Sequence, residues 1–86
     1  MERIQIEEAV KGILENKLYV SAGSIKMSDH LVYDLAADSF DIVDITIACE
    51  QDFEISISDD EIDGMKSKTV NDLCNIVENH LKNYKA

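Results

Sequence analysis

An all-α fold, a small bundle of three long helices and one short one, is what this 86-residue sequence predicts. Three observations lead there. Apolar residues recur at helical spacing in three stretches. Proline is absent, and glycine is limited to three residues. One short segment alternates like a strand, and it has no second run to pair with. At 45% hydrophobic the chain is too apolar for a disordered acidic tail. A single domain over residues 1–86 is expected, burying somewhat over ~60% of its unfolded surface without help from metal or disulfide.

The first helix is expected from about Glu2 to Lys17, with Ile6, Val10, Ile13 and Leu14 on one face and Glu7 paired to Lys11. Residues 18 to 38 lose that period. Ser21, Gly23, Ser24, Ser28 and Asp29 punctuate them, while Leu18, Val20, Ile25, Leu31 and Leu35 recur as anchors. That pattern describes a long loop pinned over a core, and loops of such length are usually functional. The second helix starts at Asp38-Ser39, both good N-cap types, and runs to about Phe53. Ile55-Ser-Ile57-Ser is the lone alternating run. Ser58 and Glu61 stand at capping-box spacing and Gly64 is a natural residue to end a helix, so one short helix fits between. Thr69 and Asp72 open the last helix, whose stripe is Val70, Leu73, Cys74, Val77, Leu81 and Tyr84.

Eight Lys and Arg against 18 Asp and Glu give a net charge of −10. That sign argues against nucleic acid and against anionic membrane surfaces, and it favours a partner with a basic patch. From Asp34 to Asp63 there are eleven acids and no Lys, Arg or His. A solvated face needs no such purity, because i,i+4 cations would relieve the repulsion. The N-terminus carries acids where a signal peptide has an apolar run, no stretch approaches membrane-spanning length, and the two cysteines form no CxxC. A soluble, cytoplasmic, thiol-reduced monomer is expected.

Rival sites fail on their residues. Asp59-x-Glu61-x-Asp63-Gly64 imitates the opening of a calcium loop, but Val70 stands where a bidentate Glu is required. Cys49 and Cys74 fall on core faces, which suits buried inert thiols. His30 and His80 are isolated in sequence, so no metal site is expected. Tyr19, Tyr33 and Tyr84 read as ordinary packing or rim residues. No carboxylate pair with a partner base points to an enzyme.

The second helix is the informative one. At about 100° per residue, Ile42, Ile45, Thr46, Cys49 and Phe53 share the core face. Phe40 and Ile47 lie almost opposite, beside Asp44 and Gln51, with Val43 at the edge. A simply greasy helix is one reading. The other is a docking patch of apolar contacts ringed by carboxylates, suited to a groove with a basic rim.

Ser39 could be no more than a cap, but its neighbours say otherwise. Asp34-Leu35-Ala36-Ala37-Asp38-Ser39-Phe40-Asp41 resembles the D-L-G-x-D-S-L-[DE] signature of acyl carrier proteins, whose serine bears 4′-phosphopantetheine. The likeness covers nearly the whole chain, from the first helix and long loop to the acidic second helix and the short capped helix. It implies an acyl-carrier-type bundle. It also implies that Ser39 receives the arm from coenzyme A through a phosphopantetheinyl transferase. The arm's thiol then carries acyl groups as thioesters between enzymes with basic docking patches. Fatty acid synthesis is the commonest role; polyketide, nonribosomal-peptide or dedicated lipid pathways are the alternatives.

On the patch that the helical turn exposes, Phe40, Val43, Asp44, Ile47 and Glu50 would meet partners, with Asp38 and Asp41 flanking the arm. By the likeness, Thr46, Cys49, Ile57, Ile62 and Met65 would line an acyl pocket. A serine with no histidine in its segment and no nucleophile elbow suits an acceptor better than a catalyst. Four departures stand out. Ala36 replaces the usual Gly, Phe40 the usual Leu and Ser58 a common proline, and Met65-Lys-Ser-Lys68 is longer than usual. Ala36 bears on whether the turn needs a positive φ.

Overall fold

The computed structural model describes residues 1–83. Among these residues the chain forms α1 (Arg3–Leu18), α2 (Ser39–Phe53), α3 (Asp59–Gly64) and α4 (Val70–Asn83). Single 3-10 turns at Ala22–Ser24 and Met65–Ser67 complete the regular structure. Three long helices and one short one are present as expected. Ile55 to Ile57 forms neither helix nor strand, and among the described residues the one β-bridge joins His30 to Thr69. The stripe residue Tyr84 lies outside the described residues.

α1 packs on both α2 and α4, and α2 also meets α3, α4 and the 3-10 turn that follows α3. The expected apolar faces close on each other. Ile6, Val10, Ile13 and Leu14 of α1 meet Ile42, Ile45, Cys49 and Phe53 of α2 and Val70, Leu73, Cys74 and Val77 of α4 in one core. Burial pushes the Cys49 thiol up to about 12 and the Cys74 thiol to about 11, so both remain protonated at neutral pH.

Glu7 pairs with Arg3 at 2.9 Å, not with Lys11 as its spacing suggested. The reason is tertiary. Arg3 reaches α4 with the rest of its fork, donating to Asn71 at 2.7 Å, Asn75 at 2.8 Å and Glu78 at 3.0 Å. One planar guanidinium thus ties the start of α1 to α4, which a lysine's point charge could not match.

The long loop is anchored where expected. Ile25 and Leu31 are buried, while Leu18, Val20 and Leu35 pack against the core. Its backbone is also bonded to the entry of α4. Leu31 N–H donates to Lys68 O, and Asp29 O and Met27 O accept from Val70 and Asn71. Thr69 and Asp72 form the expected reciprocal cap, with Thr69 N–H donating to Asp72 Oδ2 at 3.0 Å and Asp72 N–H to Thr69 Oγ1 at 3.2 Å.

Gly64 does not end its helix as a left-handed residue. Its φ is −71°, and the chain winds on right-handed into Met65–Ser67. Met65 is fully buried, and continuing the turn is what brings it into the core. The left-handed positions are instead Tyr19, Ala36 and Glu54, none of them glycine.

Candidate functional site

The segment before α2 is a compact turn built by its own backbone. His30 O accepts the amides of Asp34 and Leu35, Leu31 O accepts Ala37, and Val32 O accepts Ala36. The Asp34 carboxylate closes the turn by accepting the His30 amide at 2.6 Å. His30 Nδ1 accepts the amides of Val32 and Tyr33, each at 3.1 Å. Ala36 sits at φ 60°, so the turn does require the left-handed region that the family's usual glycine enters freely. Ala37 is buried and fixes the approach to the helix.

The N-cap of α2 is Asp38. Its carboxylate accepts the Asp41 amide at 2.8 Å, and the Asp41 carboxylate accepts the Asp38 amide at 3.0 Å. Both residues were eligible caps from sequence, and the outcome has a chemical consequence. Ser39 becomes the first helical residue, exposed, with a hydroxyl that capping does not consume. Asp34, Asp38 and Asp41 are therefore scaffolding around a presented hydroxyl.

Ser39 lies at a cleft of about 460 Å³ lined by Val32, Tyr33, Ala37, Asp38 and Lys66. Among the described residues no base stands ready there. Asp38 is held in its cap, and His30 spends Nδ1 on two backbone amides. The arrangement offers an acceptor oxygen and does not activate it.

Along α2 the remaining residues sort by face. Phe40 is 83% exposed, Val43 44% and Ile47 45%, with Asp44 exposed among them. Asp41 is half-buried in its cap. Glu50 is also half-buried, and its carboxylate accepts the Ile57 amide at 2.9 Å, holding the α2–α3 connection. Thr46, Cys49, Ile57 and Met65 are buried together in the core, and Ile62 packs half-buried against them. Thr46 Oγ1 donates to Ile42 O at 2.7 Å, which leaves its methyl to pack with the rest.

The sequence matches the family described as "Phosphopantetheine attachment site" over residues 8–77. It is 38% identical over 81 residues to the acyl carrier protein of Coprothermobacter proteolyticus, covering 94% of this chain and 96% of that one. It is also 38% identical over 73 residues to the acyl carrier protein of Clostridium acetobutylicum, covering 85% and 92%. The acyl carrier protein of Helicobacter hepaticus matches at 38% over 71 residues, covering 83% and 91%. The chain belongs to the phosphopantetheine attachment family. Its prosthetic group is 4′-phosphopantetheine, held covalently. The residues present fit such a group, with an exposed serine free of capping duty at a cleft whose lining includes a lysine and apolar residues.

Members of this family are carriers and not enzymes, which agrees with a serine lacking a base. Among the described residues, no helix is long and apolar enough to cross a membrane. A side-chain contact between α3 and α4 is not visible in the sequence. His80 Nε2 lies 3.0 and 3.1 Å from the Glu61 carboxylate oxygens, so His80 is not isolated. Tyr33 and Lys66 were likewise not read as site residues. The available signal was that Lys66 is the first cation after the purely acidic run.

Proposed function

We propose that this protein is an acyl carrier whose arm is attached at Ser39. It would move acyl thioesters between enzymes of fatty acid synthesis in the cytoplasm. The observation that supports this best is the division of labour at the start of α2, where Asp38 caps and Ser39 is left exposed. In the attachment step, Ser39 Oγ attacks the coenzyme A phosphorus that bears the pantetheine. An oxygen–phosphorus bond forms, the pyrophosphate bridge breaks, and adenosine 3′,5′-bisphosphate leaves. The Ser39 proton passes to a base of the phosphopantetheinyl transferase, since this chain offers none at the cleft. The arm's terminal thiol, with a pKa near ~8.5, supplies thioester chemistry that activates the acyl carbon.

Partners would dock on Phe40, Val43 and Ile47, with Asp38, Asp41, Asp44 and Glu50 drawing in a basic rim. Thr46, Cys49, Ile57, Ile62 and Met65 would yield to a folded-back acyl chain. The large Phe40 favours a specialised partner set, so a polyketide, nonribosomal-peptide or lipid pathway is the second reading. Weighing the thioester on the native protein distinguishes these. For the attachment itself, apo protein is incubated with coenzyme A and a transferase, and intact mass is measured. Wild type gains one phosphopantetheine and Ser39→Ala gains none while staying folded. A mass gain on the alanine variant would sink the assignment.

A further inference from the structure

We infer that the cleft beside Ser39 is a cradle for the near end of the arm, with Lys66 facing its phosphodiester and Tyr33, Val32 and Ala37 its pantoyl methyls. The inference rests on Ser39 being the attachment point. Ser39 is itself one of the residues that line the cleft, so an arm bonded to Oγ starts at its wall. Its chemistry is split in a way that matches the first atoms of the arm. Val32, Tyr33 and Ala37 bring apolar surface to its lining, and Lys66 brings a cation.

The cation is the unusual part. Residues 34 to 63 contain none, and the cleft already holds the Asp38 carboxylate, which repels a phosphodiester. Lys66 is exposed and takes no part in the side-chain contacts between basic and acidic groups of the described residues, so no carboxylate of the acidic run has claimed it. It reaches the cleft because the chain continues past Gly64 into the 3-10 turn Met65–Ser67. Buried Met65 fixes that turn and leaves Lys66 in the lining of the cleft that Ser39 also lines. The long Met65–Lys68 segment thus acquires a purpose. Tyr33 is equally out of place as a packing residue. It is 84% exposed, and its ring is steadied by His30 at a centroid distance of 4.4 Å. A presented aromatic face beside a lysine suits a ligand with adjoining methyls and negative charge.

The experiment compares apo and fully loaded protein by NMR, with loading verified by intact mass. In the loaded wild type, amide resonances of Val32, Tyr33, Ala37 and Lys66 shift along with those of the first turn of α2. Nuclear Overhauser contacts appear between the pantoyl methyls and the Tyr33 ring. Lys66→Glu, loaded to the same mass, loses these contacts, Lys66→Arg keeps them, and added salt weakens them. Shifts confined to Ser39 and the first turn of α2, or contacts that survive Lys66→Glu, would overturn the cradle while leaving the carrier function standing. Failure of wild type to gain the mass would overturn both.

Discussion

The carboxylate of Glu50 accepts the backbone amide of Ile57 at 2.9 Å, so an acid on the proposed docking face also holds the α2–α3 connection. The backbone carbonyl of Glu50 accepts Glu54 and Ile55 as well, closing the helix. Charge and structure are therefore coupled at this residue and separate at Asp44, which is exposed. Glu50→Ala should cost about 1.5–3 kcal/mol, the value of a hydrogen bond to a charged group. Asp44→Ala should stay within about 0.5 kcal/mol of wild type. Urea unfolding of the two variants decides it, and equal midpoints would mean that the Glu50 contact contributes nothing.

Ala36 at φ 60° predicts a stabilising substitution. An L-residue there places its Cβ against the following carbonyl, at about 1–2 kcal/mol, and glycine removes that clash. Glycine also gives the unfolded chain more freedom, which offsets part of the gain. The net expectation for Ala36→Gly is about 1 kcal/mol of added stability, seen as a higher unfolding midpoint. A lower midpoint would show that the turn is not strained.

Acid should act through two caps. Burial alone would raise the Glu61 carboxyl, but bonds from the Ser58 amide and the His80 ring outweigh it and hold it below its usual value. Asp72 is lowered first by the Thr69 amide, against a smaller effect of burial. A carboxyl depressed in the folded state contributes stability above its unfolded pKa and loses it as pH falls through the folded value. The net charge of −10 works the other way, since protonation relieves repulsion. Stability should thus rise on mild acidification from neutral pH and then collapse below the ordinary carboxylate range. In the double variant Glu61→Gln, Asp72→Asn the acid limb should flatten. An unchanged limb would locate acid sensitivity elsewhere.

The sequence revealed faces better than partners. Periodicity placed the core residues of α2 and the exposure of Phe40 and Ile47, because both depend on the helix alone. It could not choose between Asp38 and Ser39 as cap, since both types are good and the choice turns on how Ala37 enters the core. It gave Glu7 to Lys11, whereas packing of α1 on α4 gives it to Arg3. Glu61 and His80 stand 19 residues apart, and Lys66 joins Ser39 in lining one cleft through a 3-10 turn that composition does not announce. The Arg3, His80 and Lys66 misses all depend on how separate elements pack.

Acyl loading should stabilise the fold. Thr46, Cys49, Ile57 and Met65 are buried as one cluster with Ile62 at its edge, and a chain inserted there leaves water. Each buried methylene is worth about 0.8 kcal/mol before repacking costs. Melting temperature should climb with acyl length and then level off once the core can open no further. Identical melting of holo and long-acyl forms would place the chain in solvent.

Docking on α2 should separate into two kinetic effects. Phe40 and Ile47 are exposed large apolar residues on a helix whose core face is already filled, so truncating either leaves the fold almost unchanged. As interface anchors, Phe40→Ala and Ile47→Ala should speed dissociation from the transferase, each at about 1–2 kcal/mol. Asp44→Lys should instead slow association and flatten its salt dependence, because exposed charges act mainly on encounter. Asp44 is the right residue for that test, since reversal at Glu50 would also loosen the Ile57 contact. Ile42→Ala, buried in the core, is the opposite control and should destabilise the domain by about 2–5 kcal/mol. Stopped-flow binding at several ionic strengths reads both rates. If Phe40→Ala, Ile47→Ala and Asp44→Lys all bound like wild type while Ile42→Ala unfolded, α2 would be a structural helix and its exposed stripe no docking site.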